Sequence, residues 1–151
     1  MNDPRTRLSE HFTLGELTTS EFAARNGIDN DPPEPALTNL YKLCRYILQP
    51  LRETLGKPLI ITSGYRSPEV NAGIGGAKTS QHIHGEAADI NCPSMTVEDL
   101  FLEIEASGLP YDQLIQEFDQ WVHVSFTDTR PPRREMLYAK KVNGKTEYSK
   151  A

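Results

Sequence analysis

The residues in this chain best suited to metal and acid–base chemistry are histidines, and there are four: His11, His82, His84 and His123. Three of them fall in two short segments. Ser80-Gln81-His82-Ile83-His84-Gly85-Glu86-Ala87-Ala88-Asp89 sets a histidine in a loop and an aspartate seven residues later in a predicted strand. Trp121-Val122-His123-Val124-Ser125 sets another histidine between two valines. Successive strand side chains alternate between faces, so valines turned to a core leave His123 turned away from it, toward a cleft. Two imidazoles and one carboxylate make a normal catalytic zinc donor set, with water in the fourth position. Water so placed loses its proton near neutrality, and the metal polarises a scissile carbonyl. Spacing alone leaves a second reading open, in which these are satisfied structural residues.

The elements that must position these groups read as follows. HFTLGELTTSEFAARNG predicts an extended start and then a short helix, with Thr18, Thr19 or Ser20 as N-cap and Gly27 past its end. DNDPPEP is a turn-rich linker. Leu37, Leu40, Tyr41, Leu43, Cys44, Ile47, Leu48, Leu51 and Leu55 recur at helical spacing, which predicts a helix over 35–55. Pro50 should kink or split it, and Gly56 ends it. Leu59–Thr62 predicts a buried strand. Residues 67–81 form a long polar loop with one helical turn at 68–72, and EAADINC is a second strand. Thr96–Gly108 is a helix that Thr96 caps, and YDQLIQEF and WVHVSF are strands around a turn near Asp119-Gln120. The order points to an α+β fold, a small antiparallel sheet flanked by helices.

Bulk properties narrow the possibilities. A length of 151 residues suits one domain with its own core. No apolar run approaches the roughly 20 residues that span a bilayer, so no membrane insertion is expected. A net charge of −5 argues against a nucleic-acid partner. Cys44 and Cys92 are too few and too far apart for a disulfide framework or a metal knuckle, and read as buried free thiols. Residues 127–151 hold seven Lys/Arg against three acids, so that +4 sits there and −9 on the rest. This is either a solvated basic tail or a surface drawn to anionic polymers. The division expected is 1–126 as the catalytic unit and 127–151 as a basic extension, part of the same domain or a tail. MNDPRTRLSEHF has no apolar core of a secretory signal.

Read as a whole, residues 62–90, TSGYRSPEVNAGIGGAKTSQHIHGEAADI, resemble the zinc D-alanyl-D-alanine carboxypeptidase-like metallopeptidases. That family includes murein endopeptidases of phage lysins and has the hedgehog/DD-peptidase fold. Its motif Ser-x-His-x-x-Gly-x-Ala-x-Asp fits at Ser80, His82, Gly85, Ala87 and Asp89. Its Trp-x-His element fits at Trp121 and His123, and its Ser-Gly-Tyr-Arg-Ser element at Ser63 to Ser67. The N-terminal half is similar to the phage-type branch, so the resemblance covers nearly all of residues 10–126.

The resemblance implies that His82, Asp89 and His123 hold one Zn2+, that Arg66 binds substrate and stabilises developing negative charge, and that Ser80 supports the site. His84 falls at an unrestricted motif position and is left out of the ligand set. Much of the family carries an acid three positions before the last zinc histidine; here that position is Gln120, which cannot act as a base. The base must then come from Glu117 or Asp119. Glu117 is favoured if the hairpin centres near Gln120, which would set it across from His123 on one face. A tight Asp119-Gln120 turn would face it away. The implied activity is hydrolysis of peptidoglycan stem peptides, with a non-catalytic wall-binding or phage structural module as the alternative. The expected partner is a peptidoglycan peptide. The expected state is a monomer made in the cytoplasm, acting on the wall after release or as a virion component.

Overall fold

In the computed structural model, which describes residues 1–151, the chain opens on two short antiparallel strands, β1 (Arg7–Ser9) and β2 (Phe12–Thr13). Thr13 caps α1 (Leu14–Thr18): its hydroxyl accepts from the Glu16 N–H, and the Glu16 carboxylate accepts from the Thr13 N–H. That capping box starts a helix in the segment that the sequence predicts as extended. Ser20 then caps α2 (Glu21–Asn26), and Gly27 closes it in the left-handed region. The expected short helix is α2, capped by Ser20 and ended by Gly27, and α1 precedes it.

The predicted long helix is continuous but carries a defect. α3 (Glu34–Leu43) runs through a π-helical segment, Cys44–Leu48, into α4 (Gln49–Leu55). Pro50 has no N–H to donate within a helix. The Gln49 N–H reaches back to the Cys44 carbonyl, five residues away, so the ladder shifts and Pro50 falls in the first turn of the next segment. Leu40, Leu43, Cys44, Ile47, Leu48 and Leu51 remain on one buried stripe.

The rest alternates: β3 (Ile60–Ser63), α5 (Pro68–Gly73), a 3-10 turn at Gln81–His84, β4 (Ala87–Asn91), α6 (Val97–Ser107), β5 (Gln113–Glu117), β6 (Trp121–Ser125), β7 (Glu135–Val142) and β8 (Lys145–Lys150). Six strands form one sheet in the order β3-β4-β6-β5-β7-β8. Its pairings are antiparallel except β5 with β7, which is parallel. The fold is α+β. β3 is not the buried strand that its Ile-Ile pair predicts. It lies at the sheet edge, paired on one side only, and Ile60 is exposed.

The sheet's two faces separate core from site. Ala88, Ile90, Leu114, Val122 and Val124 face Leu100, Phe101 and Ile104 of α6 and the α3–α4 stripe in one core cluster. The alternate residues, Asp89, Ile115, Glu117, Trp121 and His123, take the other face. No helix is long and apolar enough to cross a membrane.

The basic C-terminal segment is fastened through Asp112, whose side chain is 0% exposed. Arg130 donates to both its carboxylate oxygens, at 2.7 and 2.8 Å, and Arg133 donates through Nε, Nη2 and its backbone N–H. Burial pushes the Asp112 carboxyl up, but these donors outweigh it and hold it well below the usual carboxylate range. A carboxylate whose pKa falls on folding stabilises the fold above its unfolded value near pH 4, and that contribution drains away as the pH drops lower. Removing one partner of a buried ion pair costs about 3–5 kcal/mol. The arginines are 43 and 44% exposed and rehydrate in part. Asp112→Ala is therefore expected to cost about 3 kcal/mol, or roughly 6–12 °C of Tm in a domain of this size. An unchanged melting temperature in a calorimetric scan would remove Asp112 from this role.

Candidate active site

Asp89 stands at the centre of the polar face. Its Oδ1 lies 3.2 Å from His82 Nε2 and 3.1 Å from His123 Nδ1. β4 and β6 pair so that Asp89 is directly opposite His123, while His82 arrives from the 3-10 turn. The Ser80 hydroxyl caps that turn by accepting from the His82 N–H. Two glycines of the turn-bearing segments allow close approaches that no other residue would. A Cβ on Gly85, at φ 71°, would lie 2.3 Å from the Ala36 carbonyl of α3, and one on Gly64 would lie 2.3 Å from the Leu17 carbonyl.

The donor set calls for a cation. His82 Nδ1 is 2.7 Å from the Gly64 carbonyl, which can only accept, so Nδ1 carries a proton. In the neutral ring Nε2 is then a bare lone pair aimed at a carboxylate oxygen, an arrangement that is favourable only with a proton or a metal ion between them. A histidine whose remote nitrogen is fixed by a backbone carbonyl is also the usual arrangement of a metal ligand. The three ligand atoms lie within 4.8 Å of one another, and all three residues are buried. Burial pushes Asp89 up while His82 and His123 pull it down, and the net result is a carboxyl well below the ordinary range.

Arg66 and Glu117 flank this cluster. The Arg66 Nη2 is 3.5 Å from Asp89 Oδ2; its Nε donates to the Ser63 hydroxyl and its Nη1 to the Asn71 side-chain carbonyl. The Arg66 backbone N–H also donates to the His82 carbonyl, which ties the arginine to the histidine turn. Asn71 is buried and carried no signal in the sequence beyond its place in the helical turn predicted at 68–72.

Glu117 Oε1 is 3.8 Å from His123 Nδ1 and accepts from Trp121 Nε1 at 3.0 Å. Neither predicted hairpin is the observed one. Glu117 pairs with Trp121, not His123, and Phe118, Asp119 and Gln120 make the loop between them. This register still sets Glu117 on the face of His123, one diagonal away. Burial, and next the Asp89 charge, raise the Glu117 carboxyl above its ordinary value. Asp119 is not brought to the site: its carboxylate accepts from Gln116, whose pairing partner Val122 faces the core side. Gln120 is exposed, and so is His84. His11 is remote, its ring held by Gln49.

An α+β sheet that presents a His–Asp–His donor set, with a carboxylate on one flank and a tethered arginine on the other, has the arrangement of a single-metal catalytic site. Comparison with known proteins gives the family: the chain belongs to peptidase M15, whose model matches residues 10–125. It is also similar to the zinc D-Ala-D-Ala carboxypeptidase of Streptomyces albus G, 38% identical over 87 residues, which is 56% of this chain and 32% of that protein. The chain thus matches about a third of the length of this curated relative.

Proposed function

We propose that this chain is a zinc-dependent peptidase that hydrolyses peptide bonds in the stem peptides of bacterial peptidoglycan, as a D-Ala-D-Ala carboxypeptidase or a murein endopeptidase of the endolysin type. One observation carries the reading: a buried His82–Asp89–His123 donor set with a second carboxylate, Glu117, 3.8 Å from His123. A purely structural metal site has no use for that flanking acid. Family membership and the zinc carboxypeptidase relative support the metal and the bond class. The resemblance of the N-terminal half to the phage-type branch supports a lysin or virion component acting on the wall, and the single small domain supports a monomer.

His82 Nε2, Asp89 Oδ1 and His123 Nδ1 would hold the zinc. When bound, it supplies Lewis acidity toward a carbonyl oxygen and acidifies water. The protein's own groups do the rest. Trp121 fixes Glu117 Oε1 and leaves Oε2 to take a proton from the attacking water and return it to the leaving amine. Ser63 and Asn71 hold two arms of Arg66, which leaves Nη2 directed at the reacting region to bind a substrate carboxylate or a developing oxyanion. Ser80 keeps the His82 turn closed. His82, Asp89 and His123 are buried, which strengthens the charge interactions they make.

Purified peptidoglycan digested with this protein is expected to release peptide fragments that disappear with chelator and return with zinc. Fragment masses would name the bond. A zinc-loaded protein that binds the polymer and releases nothing would overturn the peptidase reading in favour of a wall-binding module.

A further inference from the structure

We propose that the β7–β8 hairpin forms one wall of the substrate cleft and that the ring of Tyr148 contacts the bound peptide. The inference rests on the peptidase reading above and adds a specificity-determining residue to it.

The register of the sheet carries the argument. Glu117 pairs with Trp121 on one side and with Ala139 on the other, and Ala139 pairs with Tyr148. Directly paired residues point to the same face, so Trp121, Glu117, Ala139 and Tyr148 form one row on the side that carries His123. Strands are roughly 4.8 Å apart, which puts Tyr148 roughly 10 Å from Glu117 along the row. The residue between them, Ala139, is small and buried, so no long side chain stands between the two. Tyr148 and Thr146 accordingly line the same cleft of about 520 Å³ as His82, Glu117 and His123. The Tyr148 phenol is raised by burial and by the charge of Glu117, a sign of the same proximity.

Tyr148 is also the aromatic group left free there. Phe118 and Trp121 pack edge-to-face on each other at 5.7 Å, and the Trp121 N–H is taken by Glu117. Tyr148 is 57% exposed, stacks on no other ring and has no hydrogen bond from its hydroxyl. An exposed tyrosine with an open face on the rim of a cleft offers a large rigid contact at small entropic cost.

Its position fixes which part of a ligand it meets. From Arg66 and Asp89 the row of strands passes His123, then Glu117, then Tyr148. A peptide lying across the cluster with one end at Arg66 sets its other side against Tyr148. The class of ligand is a short peptide, whose residue on that side lies against the ring. β7 and β8 also lie outside residues 10–125 that match the family, so this wall can set a substrate preference particular to the chain.

The test is steady-state cleavage of soluble muropeptides by the wild-type protein and by Tyr148→Ala, Tyr148→Phe and Ser149→Ala, with metal content and Tm measured on each. Tyr148→Ala should lose about tenfold in kcat/KM, mainly through KM, with metal content and Tm unchanged. Tyr148→Phe should stay within about threefold because the ring makes the contact. Ser149 points to the opposite face, and its variant should match the wild type. A Tyr148→Ala protein as efficient as wild type would overturn the inference. So would a Tyr148→Phe loss as large as that of alanine, or a loss that tracks lowered metal content or Tm. A wild-type protein that cuts no peptide overturns the peptidase reading itself, and the inference with it.

Discussion

Asp89→Ala is expected to leave a folded protein that neither holds metal nor cuts peptide. Asp89 is the one residue whose oxygen reaches both imidazoles, at 3.2 and 3.1 Å. Its loss removes a donor and also the negative charge that offsets Arg66, whose Nη2 is 3.5 Å away. A dication would then meet two neutral rings and a nearby guanidinium in a buried site, where charge effects are strong. Altering even the outer partners of a metal ligand costs about 10–100-fold in affinity, so removing the ligand itself should exceed 100-fold. The strand should survive, because Asp89 holds β4 in the sheet through its backbone pairings with Ser63 and His123. Asp89→Asn, which keeps the shape and removes the charge, separates packing from electrostatics and should also lose metal. Metal content after dialysis, with circular dichroism on the same sample, reads both effects. A folded Asp89→Ala protein that retains one metal per chain would mean that the ion is held elsewhere.

The sequence carried the candidate donor set, which the structure brings together, more clearly than it carried the scaffold. His82, Asp89 and His123 sit in local motifs whose order and spacing survive as plain text, and His123 is signalled by the valines on either side. What was illegible depends on long-range pairing or on unusual backbone. The β5–β6 turn is one case. Phe118 and Asp119 both have positive φ, 59° and 56°, a geometry normally signalled by Asn-Gly. A Phe-Asp pair gives no such signal, so the register of Glu117 could not be read. Strained non-glycine residues persist where the surroundings hold them, and here Phe118 is packed on Trp121 while the Asp119 N–H donates to Gln116. The C-terminal strands are another case. A lysine-rich segment after a Pro-Pro pair reads as either part of the domain or a tail and gives no strand signal, while in the structure Arg130 and Arg133 converge on Asp112 and β7 joins β5 in parallel. Nothing local announces an ion pair about twenty residues long in sequence separation.

That same turn decides the second large effect. Glu117→Gln is expected to bind metal as the wild type does and to turn over about 10²–10⁴-fold more slowly, the usual worth of a positioned general base. Glutamine keeps the Trp121 hydrogen bond through its carbonyl oxygen and keeps the volume, so the cleft should not rearrange. It loses only the capacity to accept a proton. The family's usual acid position is occupied here by Gln120, which the turn carries out to solvent. Glu117 instead reaches within 3.8 Å of His123 from the strand before the turn, with its carboxyl raised by burial and by Asp89, in the direction that makes a carboxylate a better base. Asp119 serves as the internal control. Its carboxylate is engaged by Gln116 away from the cluster, so Asp119→Asn should cut peptide at a rate close to that of wild type. If Asp119→Asn were the slow variant and Glu117→Gln the normal one, the proton would have to travel by a path on the far side of the turn, and the site would have to reorganise on binding metal. If Glu117→Gln loses turnover with its metal in place, the relocated acid explains how a chain with glutamine at the family position remains a hydrolase.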